Sequence, residues 1–204
     1  MAWLTGIGRD HVLASPAFGM HLTLILATLL ALGPIASRRP WQYGLGLPVG
    51  KIWWSLLPLT ILAGLAGGIP PSPLPPVLKP LWGSWVLRLV MVPVALELTF
   101  RSLAHGFLAQ SARIGRPKSQ LVLSWPLVGA ALLFAAYILW QTTAAVPWVA
   151  IWQAPRPYLL STLGAFLLGL ILGIVRERSQ SIVAPILFHM IAAATVLATL
   201  SLTF

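Results

Sequence analysis

The chain contains no cysteine and very little charge. With no cysteine among its 204 residues, disulfides, thiolate metal sites and a cysteine nucleophile are excluded. Charged residues make up 8% of the sequence, whereas a soluble domain carries about 25%, because its surface must face water. Since 58% of the residues are hydrophobic, the scarcity of charge predicts a surface that faces lipid. We expect one membrane domain over residues 1–204.

Long apolar segments alternate with short polar connections along the chain. A helix needs about 20 apolar residues to cross the hydrocarbon core of a bilayer. Proline and charged residues lie between these segments, where they end one helix before the next begins. The predicted fold is therefore all-α, a polytopic transmembrane helix bundle with about six spanning helices. We place them at residues 17–36, 51–68, 81–105, 121–141, 158–175 and 182–202.

Basic residues are concentrated in three of the connections. The formal net charge is +10, and in a membrane protein topology and anionic lipid headgroups explain such a charge better than nucleic acid does. The connections 37–51, 111–120 and 176–180 hold most of the lysines and arginines. Because basic loops stay on the cytoplasmic side, these three connections are predicted to be cytoplasmic and both termini to lie on the opposite side.

The three acidic residues of the chain differ in their surroundings. Asp10 and Glu177 lie beside arginines in polar flanks, so a solvated ion pair is expected for each. Glu97 instead interrupts an apolar segment. A charge at the centre of a membrane helix costs about 2.5–3.5 kcal/mol on insertion scales, so Glu97 is expected to face the bundle interior and to have a partner there.

Other polar residues enter the apolar segments near Glu97. Arg101 and His105 follow it at successive four-residue intervals, which places all three side chains on one helix face. This pattern is typical either of an ion pair that holds the helix in the bundle or of a functional site. His189 interrupts the sixth segment, one turn after Pro185, and a lone membrane histidine is more often a packed, hydrogen-bonded residue than a catalyst.

A metal site has few candidate ligands in this sequence. Glu97, His105 and His189 are the candidates within the apolar segments. A zinc site normally needs three protein ligands in matched geometry, and the spacing does not tell whether the two histidines meet. We expect neither a metal nor another cofactor.

Several of these features occur together in a known family. The segment Glu97-x-x-x-Arg101 precedes a helix centred on Phe134, a glycine-rich helix and a basic connection. Ser181-x-x-x-Pro185-x-x-x-His189 follows that connection. This order resembles the CPBP family, which includes type II CAAX prenyl proteases and bacteriocin-processing proteins. The similarity extends over a core of about residues 81–195.

The resemblance implies a site and also reveals departures from it. Active members are glutamic-type intramembrane endopeptidases, so Glu97 would be the general base, Arg101 and His189 would complete the site, and His105 is an auxiliary candidate. Three expected polar residues are replaced here by apolar ones. The first glutamate of the motif corresponds to Leu96, a histidine to Ile138 and an asparagine to Ala193.

Three functional hypotheses follow. The first, which we favour because of Leu96, Ile138 and Ala193, is a catalytically impaired protein that binds other membrane proteins or assists their assembly, as a small subunit or assembly factor. The second is an active endopeptidase with Glu97 as general base. The third is a small transporter or lipid-binding protein. Expected partners are the lipid bilayer and other membrane proteins or a membrane-embedded peptide, and not nucleic acid.

Overall fold

The computed structural model describes residues 16–50, 52–67, 86–111, 123–144, 146–153 and 155–203. Every regular element in these residues is helical, which confirms the all-α prediction. Two short 3-10 helices, Pro40–Tyr43 and Ile52–Leu56, lie between the first two long helices. The helices are α1 (Pro16–Ala36), α2 (Leu57–Gly67), α3 (residues 87–111), α4 (Trp125–Thr143), α5 (Trp148–Gln153), α6 (Pro155–Ser179) and α7 (Val183–Thr203).

The bundle has the lengths and the surface of a membrane protein. Within the described residues, Phe18–Ala36, Trp125–Thr143 and Tyr158–Ser179 are long and apolar enough to cross a bilayer. The second and sixth predicted spans contain shorter apolar helices, Trp54–Leu65 and Val183–Thr199. Many large apolar side chains are exposed on the outside of the bundle, as lipid contact requires. The chain is an integral membrane protein, and the sidedness of its loops stays a prediction.

The third predicted span is a helix of mixed geometry. In α3 the segments Val92–Glu97 and His105–Ser111 are α-helical, whereas Leu87–Met91 and Leu98–Ala104 form π-helical turns. Pro93 lacks a backbone N–H and therefore leaves a carbonyl oxygen of the first π turn without its helical donor. π turns are rare in proteins, and those that do occur often lie at functional sites. Helix α3 contains Glu97, Arg101 and His105, and all three are buried inside the bundle.

Glycines bring two pairs of helices into close contact. A Cβ atom on Gly64 of α2 would collide with the side chain of Thr195 in α7 and would lie 2.8 Å from the carbonyl oxygen of Ala192. A Cβ atom on Gly169 of α6 would lie 3.2 Å from the Cα of Ala131 in α4. In lipid, small residues stabilise a bundle by allowing this close backbone approach.

Hydrogen bonds join the connection between α1 and α2 to the turn between α6 and α7. The backbone N–H of Ile182 donates to the carbonyl oxygen of Gly44 at 2.8 Å, and the Ser181 hydroxyl donates to that of Gly46 at 2.6 Å. Gly44 has φ +72°, a left-handed conformation that glycine adopts without steric cost. This segment, predicted only as a basic loop, is therefore part of the packed bundle.

The predicted connection 176–180 is corrected by the structure. Helix α6 continues through Ser179, so most of these residues form its last turn. Arg176 is buried, and the Glu177 side chain is only 13% exposed, so Glu177 does not form the solvated ion pair that was expected. Both have polar partners inside the bundle, described below, which a local view of the sequence does not reveal.

Other predictions fall partly or wholly outside the described residues. Asp10 lies outside them, as does the connection 111–120 apart from Ser111. The connection between the fourth and fifth predicted spans contains the short helix α5.

Candidate functional site

Glu97 and His189 are paired in the interior of the bundle. The Nδ1 atom of His189 lies 2.8 Å from Oε1 of Glu97, and the Glu97 side chain is 1% exposed. A carboxylate oxygen accepts, so this hydrogen bond uses the His189 tautomer that carries a proton on Nδ1. Glu97 thus has the partner expected for a buried carboxylate in a membrane helix. This partner is His189 of α7, and Arg101 of α3 is a second one.

Arg101 faces the second oxygen of the same carboxylate. Its Nε atom is 3.6 Å from Oε2 of Glu97, which is ion-pair distance but longer than a hydrogen bond. The guanidinium carbon lies 5.3 Å from the centre of the Phe134 ring, within the range of a cation–π contact. Nη1 donates weakly to the carbonyl oxygen of Ala130 at 3.5 Å. Arg101 therefore joins α3 to α4 through a hydrogen bond to the Ala130 carbonyl oxygen and a cation–π contact with Phe134.

Apolar side chains border the Glu97–His189 pair. The Phe134 ring is 6.0 Å from the His189 ring, centre to centre. Phe134 belongs to a buried cluster with Leu96 and Phe100, against which Ile138 also packs. Two of the positions where the resemblance expects polar residues, Leu96 and Ile138, thus belong to a hydrocarbon cluster whose Phe134 ring lies against His189. Ala193, the third, is half-buried in α7.

His105, predicted on the same helix face as Glu97 and Arg101, has its ion-pair partner in α6. Its Nε2 atom lies 3.3 Å from Oε1 of Glu177 in α6. The same carboxylate oxygen accepts a hydrogen bond from the Ser124 hydroxyl. As the N-cap of α4, the Ser124 oxygen also accepts from the backbone N–H of Leu127. The polar residues of α3 therefore form two clusters, one around Glu97 and one around Glu177.

Arg176 connects the site to the α1–α2 connection, a role that its place in a basic connection does not predict. Its Nε atom donates to the carbonyl oxygen of Arg101 at 3.1 Å. Its Nη2 atom donates to the carbonyl oxygen of Gln42. Ser102, the residue after Arg101, donates to the carbonyl oxygen of Tyr43 at 2.6 Å. The backbone at Arg101 is thus fixed from two directions.

The site also contains polar atoms without hydrogen bonds. Oε2 of Glu97 and the Nε and Nη2 atoms of Arg101 are buried and have no hydrogen-bond partner. Within the described residues no group of three histidine, cysteine, aspartate or glutamate side chains could hold a metal ion. A paired carboxylate, a histidine and an arginine can either lock three helices together or activate a water molecule as a general base.

A family model matches this part of the chain. It describes the type II CAAX prenyl endopeptidase Rce1-like proteins and covers residues 78–195, which include Glu97, Arg101 and His189. No curated protein and no solved structure matches the chain. The family match covers more than half of the sequence and supports the resemblance to the CPBP family. The chain therefore belongs to the type II CAAX prenyl endopeptidase Rce1-like group of the CPBP family.

Proposed function

We propose that this protein is a catalytically impaired CAAX-protease-like membrane protein that binds other membrane proteins or assists their assembly. The observation that carries the proposal is the apolar border of the Glu97–His189 pair. Leu96 is 2% exposed, and both Leu96 and Ile138 pack in the cluster that contains Phe134. Peptide hydrolysis needs a water molecule at the carboxylate and donors for the oxyanion, and hydrocarbon supplies neither.

The expected loss of rate is large. Removal of one oxyanion donor costs about 10²–10³ in rate, and this chain has apolar residues at three positions where the family resemblance places polar ones. The remaining polar residues have a structural role instead. A buried charge in a membrane is tolerated only with partners, and Glu97 has its partners in His189 and Arg101. The pair with His189 holds α3 against α7.

A cleavage assay tests the catalytic half of the proposal. The full chain would be reconstituted in liposomes with farnesylated CAAX peptides and with peptides derived from membrane helices, and products would be identified by mass spectrometry. We expect no turnover above that of the Glu97→Gln variant. Cleavage by the natural chain that Glu97→Gln abolishes would refute catalytic impairment.

Photocrosslinking tests the binding half. Tyr137 is half-buried, and its ring lies 5.6 Å from that of Phe100 beside the site. A photoreactive phenylalanine at position 137 should form a discrete protein adduct in native membranes. The same residue at Leu30, which is 78% exposed on α1, is the matched control and should react with lipid. Identical patterns at the two positions would argue against a partner at the site.

An active endopeptidase is the second candidate, and one observation favours it. Oε2 of Glu97 is buried without a hydrogen bond, as is Nη2 of Arg101, and a water molecule bound there would satisfy both. Such a water could give a proton to the carboxylate while its oxygen attacks an amide carbon, and the proton would then pass to the leaving amine as the C–N bond breaks. The cleavage assay above separates the two candidates. The transporter hypothesis stays a prediction.

A further inference from the structure

A cavity of about 450 Å³ lies beside the end of α1, away from Glu97. Its size is within the usual range for small-molecule sites. The wall combines two arginines, two amides and a phenol with an apolar edge formed by the last turn of α1. The lining residues are Pro34, Ile35, Arg38, Arg39, Gln42, Tyr43 and Gln110.

The cavity carries positive charge that no described acid neutralises. Arg38 and Arg39 are exposed, and the chain has only three acidic residues. Glu97 and Glu177 are engaged with partners elsewhere in the bundle, and Asp10 is outside the described residues. An anion in the cavity would therefore meet two cations without competition from a carboxylate of the described chain.

A buried amide with an unused hydrogen-bonding atom lines the cavity. Gln42 is 7% exposed, its Oε1 atom has no hydrogen-bond partner, and its side chain lines the cavity. Its backbone is held by Arg176, so the side chain is presented from a fixed position. Because a glutamine amide has both an acceptor and two donors, rotation about its last torsion turns N–H groups toward an anion.

The phenol in the wall is held in its neutral, donating form. Burial raises the pKa of Tyr43, and the positive charge of Arg39 only partly opposes this effect. Its hydroxyl donates to Oε1 of Gln110 at 3.0 Å, which leaves the Gln110 amide NH₂ available to a ligand. The cavity thus offers two amide groups and two guanidinium groups, a donor set suited to phosphate oxygens.

The position of the cavity identifies the source of the anion. The apolar span in α1 ends at Ala36, and Arg38 and Arg39 follow within three residues, at the level where lipid headgroups lie. Pro34 and Ile35 supply an apolar edge that continues toward the hydrocarbon. We propose that this cavity binds the phosphate headgroup of an anionic membrane lipid, a role independent of the function proposed for the Glu97 site.

Lipid selection by the intact protein tests this proposal. The full chain would be extracted from vesicles of phosphatidylcholine containing phosphatidylglycerol, and the bound lipids would be counted by native mass spectrometry. We expect enrichment of phosphatidylglycerol, reduced about 25-fold in the double variant Arg38→Gln/Arg39→Gln, since each basic residue near a membrane surface contributes roughly a factor of five. Gln42→Leu should lower it severalfold.

Two controls make the result decisive. Arg88→Gln/Arg156→Gln removes the same charge from two exposed arginines that do not line the cavity and should retain the enrichment. Equal loss in both double variants, or no enrichment in the natural chain, would overturn the proposal. In the last experiment, inorganic phosphate is added at millimolar concentration as a competitor of the bound lipid. Complete displacement of the lipid would assign the cavity to a soluble anion and would also refute a lipid site.

Discussion

The imidazole of His189 and the carboxylate of Glu97 meet at 2.8 Å, although one residue belongs to α7 and the other to α3. Arg101 approaches the other carboxylate oxygen, so the three residues connect two helices through a single buried acid. Whether or not this site hydrolyses a peptide, the pair contributes to the way the bundle is held together, and that contribution can be measured.

The first prediction is energetic coupling between Glu97 and His189. Each single change to alanine leaves the other group buried without its partner, whereas the double change removes both. Because residues in direct contact couple by about 0.5–3 kcal/mol, the double variant should lose less unfolding free energy than the two single variants together. Unfolding in detergent micelles measures this quantity.

The control for this cycle is Thr60, whose hydroxyl donates to the carbonyl oxygen of Leu56 in its own helix turn. Glu97→Ala combined with Thr60→Ala should be additive. Glu97→Gln keeps an oxygen that accepts from His189 and should cost less than Glu97→Ala. Additivity of Glu97→Ala and His189→Ala would contradict the pairing.

The second prediction concerns Arg176. Replacement by lysine keeps the charge but loses the fork that reaches the carbonyl oxygens of Arg101 and Gln42 together. A charge-assisted hydrogen bond is worth about 1.5–3 kcal/mol, so Arg176→Lys should lower the melting temperature by roughly 5 °C. Arg178→Lys, two residues further along and only half-buried, should change it little. Equal melting temperatures for the two variants would refute the connecting role.

The third prediction tests the contact of α2 with α7. Gly64→Ala places a methyl group against Thr195 and the carbonyl oxygen of Ala192, and overpacking of this kind costs about 1–3 kcal/mol. Gly33→Ala adds the same methyl group in α1, where nothing lies within 4 Å. Thermal unfolding should show destabilisation for Gly64→Ala and an unchanged or slightly raised melting temperature for Gly33→Ala. The reverse order would mean that α2 does not pack on α7 as described.

The fourth prediction concerns the polar cluster around Glu177. Glu177→Ala removes the shared acceptor of His105 and Ser124 and should destabilise the bundle more than Ser124→Ala. Loss of the Ser124 N-cap alone should lower the free energy of unfolding by about 0.5–2 kcal/mol. Ser111→Ala is the matched control, because that exposed hydroxyl bonds only to its own helix, at Phe107. A larger effect at Ser111 than at Ser124 would contradict the cluster.

Much of the fold could be predicted because the signals are local. Apolar length identified the helices, and Glu97, Arg101 and His189 were found because each is a polar residue in an apolar segment. The partner of His105 was missed for a related reason: its spacing points to Arg101, but the contact with Glu177 is made between α3 and α6.

Arg176 was missed because a basic residue near a helix end is usually explained by topology. Its burial depends on the carbonyl oxygens of Gln42 and Arg101, which are backbone groups and leave no trace in residue type. The same holds for the α1–α2 connection, whose attachment at Gly44 is made through backbone atoms. A sequence motif identifies residues by their side chains, so it does not predict contacts that are made by backbone atoms.

The π-helical turn at Leu98–Ala104 has a consequence for sequence change along α3. A π turn accommodates one more residue than the α-helical turn it replaces, and it lies between Glu97 and the α-helical segment His105–Ser111. Deletion of one residue within the turn, at a position other than Arg101, would therefore convert it to regular α geometry while the following side chains keep their directions around the axis. Glu97 and His105 would both keep their partners. The same deletion in a regular α-helical segment of α3 would instead rotate every following side chain by about 100°, so single-residue length changes in α3 are tolerated best at this turn.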